Sequence, residues 1–367
     1  MARIIGEFNK RFPVLKKIYD GHRGTINYIR LRARHRLGIL RPSWVQWLVT
    51  YDCNFRCKHC EANAGAVKVE ELTTEQICRA INDIAKLGTK TFFFSGGESL
   101  LRKDLFDIVR YVKNRGMRYD IATNCYLVEK NSYKFEQQIP HTVFTSIDGL
   151  EDSHDEFRGA KGSFKKIQEA LRFFRKLGVK LITVNTFVYP GNIGQLAHLE
   201  PYIKDSGATN WRIAPAIPVG RAKDNSSMYL DTKGMKYLFE FINGARKKFD
   251  VHITEDAGYL GCWEKVLRKD PFFCNAGFTR CSIMPDGEVL GCQIAYDNKY
   301  SEGNIKEKSF TEIWKNGFKR FRYPDYNDHK ECLDCSHFHA CRGGCWGMRL
   351  GNRHCYKAAW EGHEYIS

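Results

Sequence analysis

Cys53, Cys57 and Cys60 stand in the spacing C-x3-C-x2-C. Thiolates this close bind metal or do redox chemistry where the surroundings are reducing. Three of them satisfy three irons of a cubane cluster and leave the fourth iron open, which is what a Lewis-acid or redox role needs. A structural zinc site asks for four ligands. His59 offers a nitrogen inside the same loop, although its spacing strains a tetrahedron. At this level zinc and iron both stay open.

The chain holds fourteen cysteines, and most of the rest fall within residues 262–355. Cys332, Cys335, Cys341 and Cys345 follow one another closely, with Cys355 beyond them. Upstream, Cys274 and Cys292 enclose Cys281 and the turn Pro285-Asp286-Gly287. That turn lies between apolar segments and predicts a hairpin that points the flanking thiolates inward. Paired C-x2-C spacings also suit zinc knuckles. Cys78, Cys125 and Cys262 stand apart and can be ordinary buried thiols.

These residues need a scaffold, and the pattern from residue 43 supplies one. Short β-rich runs alternate with amphipathic stretches: strands at 43–50, 89–95, 118–123, 142–147, 180–188 and 210–215. Helices fall at 103–114, 164–177, 195–204 and 232–249, and Thr73 with Gln76 spells a capping box at the start of another. Alternation of this kind predicts parallel βαβ units. About six fit before residue 220, enough for an open partial barrel. Beyond about residue 250 cysteines, glycines and turn dipeptides dominate, as in a small domain that relies on metal to stay folded. The expected division is a basic helical segment over 1–42, a barrel over 43–250 and a cysteine-rich domain over 251–367.

Polar groups gather at the ends of these strands. Ser95-Gly96-Gly97-Glu98 follows the second, Thr123-Asn124 the third, and Ser146-Ile147-Asp148-Gly149 the fourth, with His154, Asp155 and Arg158 after it. Strand C-terminal ends are where a barrel carries its chemistry. With the cysteine triad, this ordered set resembles the radical S-adenosylmethionine (radical SAM) superfamily, and the later cysteines resemble its SPASM domain. Histidine stands at 59, where the family usually has an aromatic, and Ser99 where it usually has proline.

The resemblance implies an α/β fold: a partial (β/α)6 TIM-like barrel followed by a small cysteine-rich iron–sulfur domain. It implies that Cys53, Cys57 and Cys60 hold the 4Fe–4S cluster that cleaves S-adenosylmethionine. Gly96, Gly97 and Glu98 would meet the methionine amino group, and Thr123 and Asn124 would lie near the ribose. Ser146, Asp148 and Arg158 would contact ribose and carboxylate. One auxiliary cluster would use Cys274, Cys281, Cys292 and Cys345, and a second Cys332, Cys335, Cys341 and Cys355, with Cys262 an alternative ligand. Cys125 is a candidate hydrogen donor to a substrate radical, against a plain buried residue. Arg221, after the sixth strand, is a candidate contact for S-adenosylmethionine or a substrate carboxylate, against a surface salt bridge. Trp263, Trp314 and Trp346 are expected in the core of the cysteine-rich part. An electron donor such as a flavodoxin or ferredoxin is also implied.

Charge bears on the partner. The formal net charge is +16, and residues 1–42 carry much of it. Such a field favours an anionic partner, an acidic peptide above all, while interleaved apolar residues suit a helix packed on the main domain. No nucleic acid is expected. No apolar run approaches the roughly 18–20 residues of a membrane helix, and the start lacks a secretory signal, so a cytoplasmic protein is expected. SPASM-bearing enzymes mostly act on peptides or proteins, which makes maturation of a ribosomal peptide the favoured expectation: crosslink, thioether, epimerisation or oxidation. Formylglycine formation in sulfatases is the second; there an acidic residue follows the third auxiliary cysteine, and Gln293 stands here. Haem or quinone cofactor synthesis is the third, and a non-enzymatic electron carrier the fourth. The residues before the barrel fall short of a leader-binding winged helix of roughly 80 residues. The basic segment or a separate leader-binding protein is therefore expected to recruit the peptide.

Overall fold

A computed structural model describes residues 13–293, 297–326, 329–350 and 355–360, with the side chains of 13–18, 298 and 350 left aside. The basic residues of 1–12 lie outside that range. A long helix, α1 (Pro13–Arg36), comes first. Then strands β1 (Trp44–Leu48), β2 (Thr91–Ser95), β3 (Arg118–Ala122), β4 (Thr142–Ser146), β5 (Leu181–Val188) and β6 (Asn210–Pro215) alternate with helices. These are α2 (Thr74–Lys86), α3 (Leu105–Asn114), α4 (Ser132–Gln137), α5 (Glu151–Arg158), α6 (Ser163–Lys176), α7 (Leu196–Asp205) and α8 (Thr232–Ala245).

Local sequence explains the boundaries. Thr73 accepts from the Gln76 backbone while the Gln76 side chain accepts from the Thr73 backbone, so the expected capping box opens α2. Such a cap is worth about 1 kcal/mol. Ile77, Ala80, Ile81 and Ile84 then form its buried stripe. β1 and β2 are buried along nearly their whole length on both faces, while β6 alternates buried and half-buried residues.

The sheet is longer than the six strands read from the sequence. A seventh parallel strand, β7 (Val251–Ile253), pairs with β6. The hairpin β8 (Arg280–Ile283) and β9 (Glu288–Leu290) forms around Pro285-Asp286-Gly287, and β10 (Ser301–Asn304) adds to it antiparallel. β8 also pairs parallel with β1, with Val45 opposite Cys281. All ten strands therefore share one sheet, ordered β10-β9-β8-β1-β2-β3-β4-β5-β6-β7. The cysteine-rich part extends the barrel's own hydrogen-bond ladder.

Trp263, Trp314 and Trp346 are buried in this part, as expected. Helix α1 lies against it too: a methyl on Gly24 would collide with the Ala340 carbonyl, and the Tyr28 hydroxyl donates to the Arg322 carbonyl at 3.0 Å. Among the described residues no helix is long and apolar enough to cross a membrane.

Candidate active site

The cysteine loop leaves the end of β1 and is stitched on both sides. On one side, Gly97 N–H donates to the Thr50 carbonyl at 2.8 Å, and Glu98 N–H to the Asp52 carbonyl at 2.9 Å. A methyl on Gly97 would strike the Asp52 carbonyl oxygen, so the turn after β2 must be glycine to lie this close. On the other side, Lys58 N–H donates to the Phe157 carbonyl at 2.9 Å and Arg56 N–H to the Arg158 carbonyl at 3.2 Å, which ties the loop to the end of α5.

Cys53, Cys57 and Cys60 line one cavity of about 290 Å³ together with Gly96, Gly97, Thr123, Asn124, Ser146 and Arg158. The strand ends have thus met as expected. Burial pushes the Cys53 thiol up to about 11, partly offset by the Phe55 N–H that its sulfur accepts at 3.4 Å. Burial also raises Cys57, while the neighbouring Arg158 lowers it; Nη1 of that arginine stands 3.7 Å from the sulfur. Free thiols so crowded keep their protons, and iron binding is what removes them. Three thiols, two glycines and a guanidinium around one cavity fit a cluster and its sulfonium ligand.

Arg158 also bonds the buried Asp148 through Nε at 2.5 Å. Asp148 accepts the Phe187 N–H at 2.8 Å, and its own N–H donates to His154 Nδ1 at 3.0 Å. Burial works against the Asp148 carboxylate, but Arg158 above all holds it below the ordinary range. The expected contact residues at 148 and 158 are therefore one buried ion pair.

His59 is packed between aromatic rings. Its ring stacks on Phe157 at 4.9 Å and lies 4.4 Å from Phe187, and burial pulls its pKa down to about 3. It lines this cavity and a larger one of about 350 Å³, which Gln46, Glu61, Ser146, Asn185 and Arg158 also wall. The larger cavity is also lined by Cys274, Cys281, Cys292 and Cys345. Cys332, Cys335, Cys341 and Cys355 form a second neighbourhood: burial raises Cys341 to about 12, with Cys355, Cys332 and Cys335 adding to it.

Four expectations change here. Glu98 does not wall the cavity; its carboxylate is buried and accepts from Leu100 N–H, the Thr123 hydroxyl and Asn124 N–H at 2.7–3.0 Å, bracing the end of β3. Cys125 turns into the core, its sulfur 3.3 Å from the Thr145 hydroxyl and its thiol raised by burial to about 12, so it presents no hydrogen to either cavity. It holds a φ of 66°, the left-handed conformation that glycine adopts freely. Arg221 makes no salt bridge among the described residues: it donates to the carbonyls of Cys57 at 2.8 Å and Ala64 at 2.5 Å and to Asn63 Oδ1 at 3.0 Å, clamping the cysteine loop. Cys262 lines a separate cavity with Asp20 and Lys265, outside the one that Cys274, Cys281, Cys292 and Cys345 wall.

Residues 47–195 match the model of the radical SAM superfamily, and residues 274–336 that of the SPASM iron–sulfur cluster-binding domain. The chain belongs to the radical SAM superfamily. It carries a C-terminal SPASM domain, and its cofactors are S-adenosylmethionine and 4Fe–4S clusters. Among curated proteins, this radical SAM chain is 27% identical to the AdoMet-dependent heme synthase of Oleidesulfovibrio alaskensis over 91% of its own length and 89% of that protein's. It is 28% identical to the mycofactocin maturase MftC of Mycolicibacterium smegmatis, over 88% of the chain and 82% of the maturase. Among solved structures, SuiB of Streptococcus suis bound to its precursor peptide SuiA superposes with a TM-score of 0.67 at 15% identity, covering 92% of this chain and 78% of that one. The last likeness is one of fold.

The sequence reading missed three acids on the larger cavity. Glu61 directly follows Cys60, and Glu255 and Asp256 follow the end of β7. Burial raises Glu61 and Asp256; it works against the Glu255 carboxylate too, but Arg280 holds that one below the ordinary range. Strand-end position was the available signal, but the three-residue strand before Asp256 carries no periodicity.

Proposed function

We infer that this chain uses the cluster on Cys53, Cys57 and Cys60 to split S-adenosylmethionine and directs the resulting radical at a peptide. The carrying observation is the shared wall. His59, Glu61, Ser146 and Arg158 border both the triad's cavity and the larger one, so a substrate in the larger space lies beside the bound sulfonium. When bound, the cofactors supply one electron and a 5′-deoxyadenosyl radical that takes hydrogen from an unactivated C–H bond. The chain's part is to hold that C–H close and keep water out.

The residues divide that work. Gly96 and Gly97 let the backbone approach the amino acid end of the cofactor, and Thr123, Asn124 and Ser146 offer polar contacts to its sugar. Arg158 supplies positive charge, held rigid by Asp148. Cys274, Cys281, Cys292 and Cys345 would hold one auxiliary cluster against the substrate, and Cys332, Cys335, Cys341 and Cys355 a second. The likeness to mycofactocin maturase supports a peptide, and a cytoplasmic setting suits such clusters. Gln293 walls both cavities where formylglycine chemistry would want an acid.

A second reading, on a haem precursor, is favoured by the 27% identity to heme synthase. Anaerobic reaction of reconstituted enzyme with S-adenosylmethionine and each candidate, reading deoxyadenosine and product mass, separates them. A mass change in the peptide with none in an iron porphyrin is the expected result; the reverse overturns the peptide reading.

A further inference from the structure

Helix α1 has two unlike faces. Its inner face is fixed: Leu31 is buried, the Thr25 hydroxyl lies 3.4 Å from His339 Nδ1, and Arg342 stacks over the Tyr28 ring at 4.4 Å. Its outer face exposes Ile26 and Ile29, and at the helix end Leu37 and Ile39 follow, the last three at 61%, 72% and 49%. Arg30, Arg34 and Arg36 are exposed beside them, and among the described residues their guanidinium groups have no ion pair or hydrogen bond. A merely solvated helix has no need of four exposed aliphatic side chains among its cations.

What lies beneath that helix gives the face a use. Its inner side packs on residues Phe338–Cys341, whose last member belongs to the distal thiol set. Tyr28, Cys341 and Cys274 line one small cavity of about 40 Å³. Cys274 also walls the large cavity, where His59 and Arg158 border the triad. The succession from α1 to the radical site is unbroken: helix, distal thiols, proximal thiols, triad.

We propose that the outer face of α1 is the docking surface for an acidic one-electron carrier protein that reduces the cluster on Cys332, Cys335, Cys341 and Cys355. The carrier loses one electron and the cluster gains one; no bond or proton is exchanged. Unpaired arginines steer an acidic surface by long-range attraction, and the aliphatic side chains give it a dry contact on arrival. A helix is about 10–12 Å across, so a carrier seated there is one helix thickness from the distal set. An acidic peptide would meet the same charge, but the face lies over the distal thiols and not at the substrate cavity.

The proposal rests on the reading of a distal cluster, and the test keeps the two apart. Holoenzyme is reduced either by a flavodoxin or by dithionite, with cluster absorbance and deoxyadenosine as readouts and calorimetry for flavodoxin binding. In the triple variant Arg30→Glu, Arg34→Glu, Arg36→Glu, flavodoxin-driven reduction should fall about tenfold or more at low salt and lose its salt dependence. Dithionite-driven deoxyadenosine formation should not change. An unchanged flavodoxin rate overturns the proposal, as does an equal loss with both reductants, or a loss confined to acidic-peptide affinity. Cys335→Ala addresses the cluster itself: about four irons should go from about twelve per chain. Flavodoxin-driven reduction should go with them, and its survival overturns the route.

Discussion

Arg158 sits between the Asp148 carboxylate and the Cys57 sulfur, with little water around it. Removing one partner of a buried pair leaves the other uncompensated, at about 3–5 kcal/mol. Asp148→Asn should therefore lower the urea midpoint by a margin that Lys58→Ala, at the exposed pair with Glu156, does not approach. Changing Cys53, Cys57 or Cys60 to Ala should abolish deoxyadenosine formation, while auxiliary-thiol changes should spare it when dithionite is the reductant and lose product. His154 titrates in the opposite sense to a paired histidine. Burial drops its pKa from 6.5 to about 4. Above 6.5 both folded and unfolded states are neutral there; below it only the unfolded state takes the proton. Stability should thus fall between pH 6.5 and 4 by on the order of 3 kcal/mol. His154→Gln keeps an acceptor for the Asp148 N–H and should flatten that slope in denaturation at successive pH values. The identities of these residues were legible in the sequence, but their pairings were not. Arg158 and Asp148 were both expected near the cofactor, and only packing turns them toward each other. Glu98 and Cys125 show the same gap: a motif names a residue, while the direction of its side chain is set by neighbours 25 and 20 positions away.

At the scale of elements, the loop from Cys53 to Cys60 has little regular structure and borrows its shape. Arg221, on the turn after β6, clamps it through the carbonyls of Cys57 and Ala64. Arg221→Ala should shorten the half-life of the triad's iron under a chelator several-fold and leave thermal unfolding of the sheet nearly unchanged; Arg221→Lys, which cannot fork, should recover only part. Gly97→Ala should weaken S-adenosylmethionine binding in calorimetry, because the added methyl forces the glycine turn away from Asp52. Strands β1 to β6 were legible because each is a β-rich run between amphipathic helices. β7 was not, since three residues carry too little pattern. The β8–β9 hairpin announced itself through Pro285-Asp286-Gly287, yet its pairing with β1 joins residues more than 230 positions apart, which no local signal encodes.

At the scale of the whole molecule, the barrel and the cysteine-rich part are one sheet. A chain ended at residue 270 would strip β8 from β1 and bare the edge of an apolar strand. It should aggregate or unfold, giving no independent barrel in gel filtration and circular dichroism. A monodisperse, cooperatively unfolding product would show that the two parts are separable.

The register of that joint has a further meaning. Because Val45 faces Cys281 across the ladder, and Cys53 follows a few residues beyond the end of β1, one set of backbone hydrogen bonds acts as a ruler between the triad and the thiol of Cys281. Their spacing is then a constant of the molecule and is not sampled by a hinge. A slip of one residue would place Ser282 where the thiol belongs and turn Cys281 to the opposite face. The distance from the triad to Cys281 is therefore set by strand pairing and not by a linker.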